Sequence, residues 1–268
     1  MSDVHNLVRL ETIHEPTYKS PHTVTYYGEY EGVPVVVKQA AGNLAREASI
    51  LNDINYSGIP NVVDYLVQDN TTHLLILERL PGTALSTRIK LTDDWHSVPM
   101  QEIESVAIVD RLAVCFTALK NAGYIYRDLN FGHILTNQHD TSLVDHEWDV
   151  KLDANGVGIV DSLAGTWETM APEEYEVNNV INEATTVFTL GTVLLQLLTG
   201  VSPFYIDPQE IPDENKRRNA TLQRMQSFTG VTILRSDMNK ILNKALHPDA
   251  SQRYQEIEEF RNQLELAT

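Results

Sequence analysis

The residues of this chain that could do chemistry stand where apolar runs break off. Lys38 closes the run Val35-Val36-Val37, and Glu47 follows nine positions later in Leu44-Ala45-Arg46-Glu47-Ala48-Ser49-Ile50-Leu51. Asp128 sits in Tyr126-Arg127-Asp128-Leu129-Asn130, His133 opens His133-Ile134-Leu135, and Asp145 and Glu147 flank His146 directly after Leu143-Val144. Carboxylates, an ammonium and an imidazole are the groups of general acid–base work and of divalent-metal sites. Each alone is a weak signal, because a lysine ending a strand is ordinarily surface and a helix-face glutamate is ordinarily solvated. Their meaning depends on the elements that position them.

The chain has 268 residues, 42% of them hydrophobic, and can bury a substantial core as one large or two small domains. A formal charge of −17 argues against binding the phosphate backbone of nucleic acid or an anionic membrane surface and favours basic partners. The single cysteine, Cys115, cannot form an internal disulfide, which suits a reducing cytoplasmic setting, and its apolar surroundings suggest a buried thiol. Residues 1–16 lack the apolar core of a signal peptide, and no run of 18 apolar residues exists to span a membrane.

Val24–Tyr27 and Val33–Val37 read as a hairpin around Gly28–Gly32, and a second strand pair is expected at Val62–Val67 and Leu74–Leu80, turning at Gln68-Asp69-Asn70. Between the pairs, the spacing of Leu44, Ala48 and Leu51 predicts a helix over Asn43–Ile54. After Pro81-Gly82 the pattern changes to helix: Ile103 to Leu119 with Gly123 as a cap, the almost wholly apolar Val187–Leu198 ending at Thr199-Gly200, and the charged amphipathic Tyr254–Glu265.

These motifs, in this order, resemble the eukaryotic-like protein Ser/Thr kinase superfamily from about residue 17 to 264. Tyr126 to Leu135 is similar to the catalytic loop H-R-D-L-K-P-x-N-I-L, Val144–Glu147 to the D-F-G turn, and Val35–Lys38 to V-A-I-K. Gly165–Glu173 resembles G-T-x-x-Y-M-A-P-E, and Leu197–Phe204 resembles L-L-T-G-x-x-P-F. The resemblance implies an α+β, bilobal protein-kinase-like fold with a small β-rich N-lobe (17–80) and a larger helical C-lobe (81–268), preceded by an extension over 1–16. It implies an enzyme that transfers the γ-phosphate of ATP to protein hydroxyls with Mg or Mn, acting on a protein substrate or regulated partner, with no nucleic acid or membrane involved.

By the same resemblance Lys38 contacts the α and β phosphates, Glu47 holds Lys38, Asp128 receives the acceptor proton, and Asp145 binds the metal. Adenine is expected against Val24, Val36 and Leu135, with Leu77 at the rear and with the Glu78 carbonyl and Leu80 amide as its hydrogen-bonding edge. Thr166 is expected on Asp128, Glu173 on Arg253, and Arg127 beside an activation segment in which Ser162 is either a phosphosite or an ordinary loop serine.

Departures from the pattern are as informative. Asn130 stands where a lysine meets the γ-phosphate, His133 where an asparagine binds the second metal, Glu147 where glycine is usual, and Thr186 where an aspartate braces the catalytic loop. Imidazole suits Mn²⁺ better than Mg²⁺, and Glu147 supplies a new carboxylate for the ion. Such D-x-E turns are similar to those of aminoglycoside and choline kinases and of lanthipeptide synthetase kinase domains. No glycine-rich loop precedes Val24, where Tyr18–Thr23 stands, leaving Lys19 or His22 as substitute charges or as plain surface. Two alternatives stay open: a pseudokinase, in which His133 and Glu147 merely pair and the fold serves as a nucleotide-binding or scaffold module, and a small-molecule phosphotransferase.

Overall fold

A computed structural model describes residues 9–10, 18–19, 23–68 and 71–267. They divide into two compact units, one comprising residues up to Pro81 together with Val144–Glu147, the other Gly82–Leu143 and Trp148 onward. Lys19 as a side chain, His22, and most of the 1–16 extension lie outside the described residues.

The first unit is built on a sheet of β1 (Arg9–Leu10), β2 (Tyr18–Lys19), β3 (Thr23–Tyr30), β4 (Val33–Ala40), β5 (Val62–Gln68) and β6 (Thr72–Glu78), crossed over in the order β1-β3-β4-β6-β5 with β2 on β3. The β3–β4 turn is tighter than the sequence suggests. Only Glu31 and Gly32 turn, both at positive φ (51° and 82°), the geometry of a two-residue hairpin loop that matches strand twist. Alternation along β4 puts Val35 and Val37 on one face, packed with Leu74, Ile76, Tyr26, Tyr30 and Leu66. Val36 and Lys38 occupy the other face. Helix α1 (Ala45–Asn52) follows β4 after four residues, its first turn opened by Asn43 Oδ1 accepting from the Ala45 amide at 2.7 Å.

The second unit contains short strands β7 (Thr83–Ala84), β8 (Tyr124–Ile125), β9 (Ile134–Thr136), β10 (Thr141–Leu143), β11 (Val150–Lys151), β12 (Gly158–Ile159) and β13 (Val180–Ile181). Its helices are α2 (Leu85–Arg88), α3 (Glu102–Asn121), α4 (Glu183–Thr199), α5 (Glu214–Gln226), α6 (Ser236–Ala245) and α7 (Ile257–Ala267). Helix α4 is the axis, buried on all sides from Ala184 to Leu197, so its apolar composition needs no amphipathic stripe. It begins four residues earlier than its apolar run, because Asn182 caps it: Oδ1 accepts from the Ala184 amide at 2.9 Å while Thr185 Oγ1 accepts from the Asn182 amide. Gly200, left-handed at φ 76°, ends it. Cys115 on α3 is buried. Helix α7 starts at Ile257 rather than Tyr254, since the Glu183 carboxylate accepts from the Ile257 amide at 3.1 Å and Tyr254 packs on Phe260 instead. Among the described residues no helix is long and apolar enough to cross a membrane.

Val144–Glu147, expected with the helical lobe, groups with the sheet unit. The reason lies in hydrogen bonds to Lys38 and Glu47.

Candidate active site

The residues singled out by type and spacing fall in both units. In the sheet unit, Lys38 Nζ donates to Glu47 Oε1 at 2.6 Å and to Asp145 Oδ1 at 2.9 Å. The short β4–α1 link makes the nine-residue separation of Lys38 and Glu47 workable, since it sets Glu47 in the first turn of α1 facing the strand that carries Lys38. Lys38 is buried and Glu47 almost completely so. Burial opposes the ammonium charge, yet the Glu47 and Asp145 carboxylates together hold its pKa above the ordinary lysine value. Glu47 Oε1 also accepts from the His146 amide at 3.2 Å, while Oε2 is buried without a hydrogen-bond partner. Asp145 itself adopts φ 71°, a left-handed conformation that non-glycine residues rarely hold without cause.

Strand register corrects one expectation. Thr25 pairs with Lys38 and Tyr27 with Val36, while Leu75 and Leu77 pair with Lys38 and Val36 from β6. Directly opposed residues share a face, so Thr25, Tyr27, Val36, Leu75 and Leu77 stand on the Lys38 side. Val24, opposite Gln39, stands on the reverse face with Val35 and Val37. A one-residue displacement in a strand moves a side chain to the other side of the sheet, and Val24 was expected one residue out. Arg79 stacks over Tyr27 at 4.2 Å on the Lys38 face. Leu77 and Leu80 are buried, and the Glu78 amide donates to the Asn61 carbonyl at 2.9 Å.

In the helical unit, Asp128 Oδ1 accepts from Thr166 Oγ1 at 2.7 Å. Asn130 and His133 do come together, within the loop itself. Asn130 Oδ1 accepts from the Gly132 amide at 2.7 Å, an Asx turn, and its amide nitrogen lies 3.2 and 3.0 Å from the two ring nitrogens of His133. Nearly equal distances to both nitrogens place that amide over the ring rather than along one lone pair. His133 Nδ1 lies 2.9 Å from the Asp128 carbonyl, which can only accept, and 3.2 Å from the Tyr126 hydroxyl. Leu135, half-buried on β9, pairs with Ala84 of β7. Thr186 is buried on α4. Glu173 and Arg253 form a bidentate pair at 2.8 and 2.9 Å, with Arg253 wholly buried.

The donor chemistry fits a hard divalent ion. In the sheet unit Asp145 and Glu147 offer the carboxylate oxygens such an ion prefers. Among the described residues no group of three or more His, Cys, Asp or Glu side chains is already gathered around a metal position.

Two residues of the helical unit escaped the sequence reading. Glu174 is buried against Arg127, whose Nε donates to Glu174 Oε1 at 3.2 Å, and Asp161 Oδ1 lies 3.5 Å from Arg127 Nη1. Ser162 presents its backbone carbonyl to Arg127 and its hydroxyl to Asp161. These contacts span dozens of residues, and no local spacing announces them.

The comparisons with known proteins agree with this geometry. The chain is 23% identical over 232 residues to a protein named as a probable serine/threonine-protein kinase of Clostridium perfringens, covering 82% of this chain and 31% of that one. It is 26% identical over 204 residues to the serine/threonine-protein kinase PknH of Mycobacterium bovis, covering 71% and 32% respectively. It is 29% identical over 180 residues to a MAP3K epsilon protein kinase of Arabidopsis thaliana, covering 66% and 12%. The chain thus spans about a third or less of the length of these relatives. The family model described as the protein kinase domain matches residues 34–263, most of the chain, and with a strand-rich first unit and a helical second one the chain belongs to the protein kinase domain family.

Proposed function

We propose that this domain is a divergent ATP-dependent protein serine/threonine kinase. The observation that carries the reading is the Lys38 ion pair, at 2.6 Å to Glu47 and 2.9 Å to Asp145. A lysine held charged in this way is suited to neutralising phosphate oxygens, a use that accounts for burying the Lys38–Glu47 pair beside the part-buried Asp145 carboxylate. Asp128, with Thr166 on one oxygen, accepts the proton of an attacking Ser or Thr hydroxyl as its oxygen bonds to the γ-phosphorus and the bond to the β-bridging oxygen breaks. Val36 and Leu77 on the Lys38 face serve the adenine, with the Glu78 carbonyl and Leu80 amide as its polar edge. Asp145 and Glu147 would hold Mg²⁺ or Mn²⁺, which would supply charge neutralisation of the phosphates; His133, the other candidate donor, belongs to the helical unit. The net charge of −17 favours acceptors with basic segments, and a cytoplasmic setting agrees with a single cysteine, Cys115.

A second reading, the pseudokinase, is favoured by Asn130. Its side chain is spent on the Gly132 amide, so this loop position brings no cation to the γ-phosphate. Transfer from γ-labelled ATP to the chain itself and to a generic basic protein, in Mg²⁺ and in Mn²⁺, separates the readings. The kinase reading expects metal-dependent incorporation that Asp128→Ala and Asp145→Ala abolish. Incorporation no higher than the Asp128→Ala background sinks it, and nucleotide-dependent thermal stabilisation without transfer establishes the pseudokinase. Glu147→Gly is expected to reduce transfer about tenfold or more at fixed metal; an increase would remove Glu147 from the ligand set.

A further inference from the structure

Helix α1 carries Glu47 in its first turn, and Leu44 at its head makes no side-chain cap. The cap comes from one residue earlier, where Asn43 Oδ1 accepts from the Ala45 amide at 2.7 Å. The same oxygen lies 3.0 Å from the Tyr65 hydroxyl, and that hydroxyl lies 2.6 Å from His73 Nδ1. Both rings belong to the sheet. Tyr65, on the edge strand β5, stands opposite Leu75 of β6, so His73 is its diagonal neighbour on the face that carries Lys38. The ring centroids are 5.9 Å apart.

Counting donors gives these contacts a direction. The Ala45 amide can only donate, so Asn43 turns its oxygen toward the helix. That oxygen only accepts, so the single hydroxyl hydrogen of Tyr65 points to Asn43, and the hydroxyl oxygen is left to accept from His73. All three contacts are hydrogen bonds only when His73 carries a hydrogen on Nδ1. We propose that Tyr65 and His73 are positioning residues for Glu47: through Asn43 they fasten the first turn of α1 to the sheet edge, as Lys38 fastens it to β4. A single ion pair leaves a short helix free to pivot about that contact, and a second tie on another strand removes the pivot. Neither ring touches a reacting atom. The consequence for phosphate transfer rests on the kinase reading; the consequence for α1 does not.

The test uses Tyr65→Phe, which keeps the ring and removes the hydroxyl, with Asn43→Ala and the acceptor-retaining Asn43→Asp. NMR of the His73 ring nitrogens should find Nδ1 bearing hydrogen in the neutral ring of the wild type, and the Nε2–H form gaining in Tyr65→Phe. Hydrogen exchange over residues 45–50 should quicken about threefold in Tyr65→Phe and about fivefold in Asn43→Ala, with Asn43→Asp close to wild type. In parallel, Tyr65→Phe should lower kcat about fivefold while KM for a protein acceptor stays within about twofold, and Asn43→Asp should keep most of the rate. A neutral wild-type ring with hydrogen on Nε2 alone, or equal exchange in wild type and Tyr65→Phe, overturns the proposal. An unchanged kcat for Tyr65→Phe in a chain that does transfer phosphate overturns it as well. Absence of transfer from the wild type overturns the kinase reading alone, because the ring nitrogens and the exchange are read without turnover.

Discussion

Around Lys38, the ammonium bridges two carboxylates, the buried one of Glu47 and the part-buried one of Asp145. Around Asp128 the hold is mostly uncharged: a threonine hydroxyl on the carboxylate, a glycine against the Arg127 carbonyl, and amide and imidazole contacts inside the loop. The two regions therefore fail differently. Removing one partner from a buried ion pair leaves an uncompensated charge and threatens the fold, whereas removing a polar contact at a half-exposed loop changes geometry and rate. Charge is retained at Lys38 and thinned around Asp128, so on the kinase reading the loop, not the sheet, is where transfer would be slowed.

The sharpest way to break that contrast is Asp128→Ala, expected to lower kcat by about 10²- to 10⁴-fold with little change in melting temperature, measured by labelled transfer beside thermal denaturation. Lys38→Met should invert the pattern. It should cost on the order of 3–5 kcal/mol of stability in denaturant unfolding as well as phosphate affinity, because Glu47 stays buried without its cation. If the sheet unit tolerates it with a small loss, the charges there are not what holds α1 to β4. Gly165→Ala, at φ 121° and against a backbone oxygen, should cost about 2–3 kcal/mol and raise acceptor KM before it alters ATP binding.

The smallest effect concerns pH. Burial pushes the Glu174 carboxyl up to about 7, with Arg127 and the Ala171 amide offsetting only part of the cost. The folded chain then binds this proton more tightly than the unfolded chain, whose glutamate titrates near 4.5. Stability from this group is thus full below about 4.5, falls as pH rises toward about 7, and is level beyond. Glu174→Gln should remove that fall, so that the wild type loses on the order of 1–3 kcal/mol relative to the variant between pH 5 and 7.5, read from paired denaturant curves.

How much of this was legible in the sequence depended on contact range. Lys38 and Glu47 were readable because a strand and a helix joined by four residues leave few places for a first-turn glutamate to point. Thr166 on Asp128 and Glu173 on Arg253 were readable through the family pattern. Val24 was not, since alternation within β3 turns on a register that only pairing with β4 fixes. Asp161 and Glu174 meet Arg127 across 34 and 47 positions or thereabouts, and nothing local marks either as more than a surface acid. Helix α5 is polar nearly all round and buries only Thr221 and Met225, so periodicity could not find it, and α6 was not expected either, although Met238, Ile241, Leu242 and Ala245 fall at helical spacing.

The fit of Gly165 against the Arg127 carbonyl also shapes how this protein can drift. Leu163, two positions earlier, is an exposed side chain with room to vary, whereas position 165 admits no side chain at all. Neighbouring codons are therefore under very different constraint, and substitutions that retune what the segment meets would accumulate at 163 and its surface neighbours while the hinge of contact beside Arg127 stays fixed.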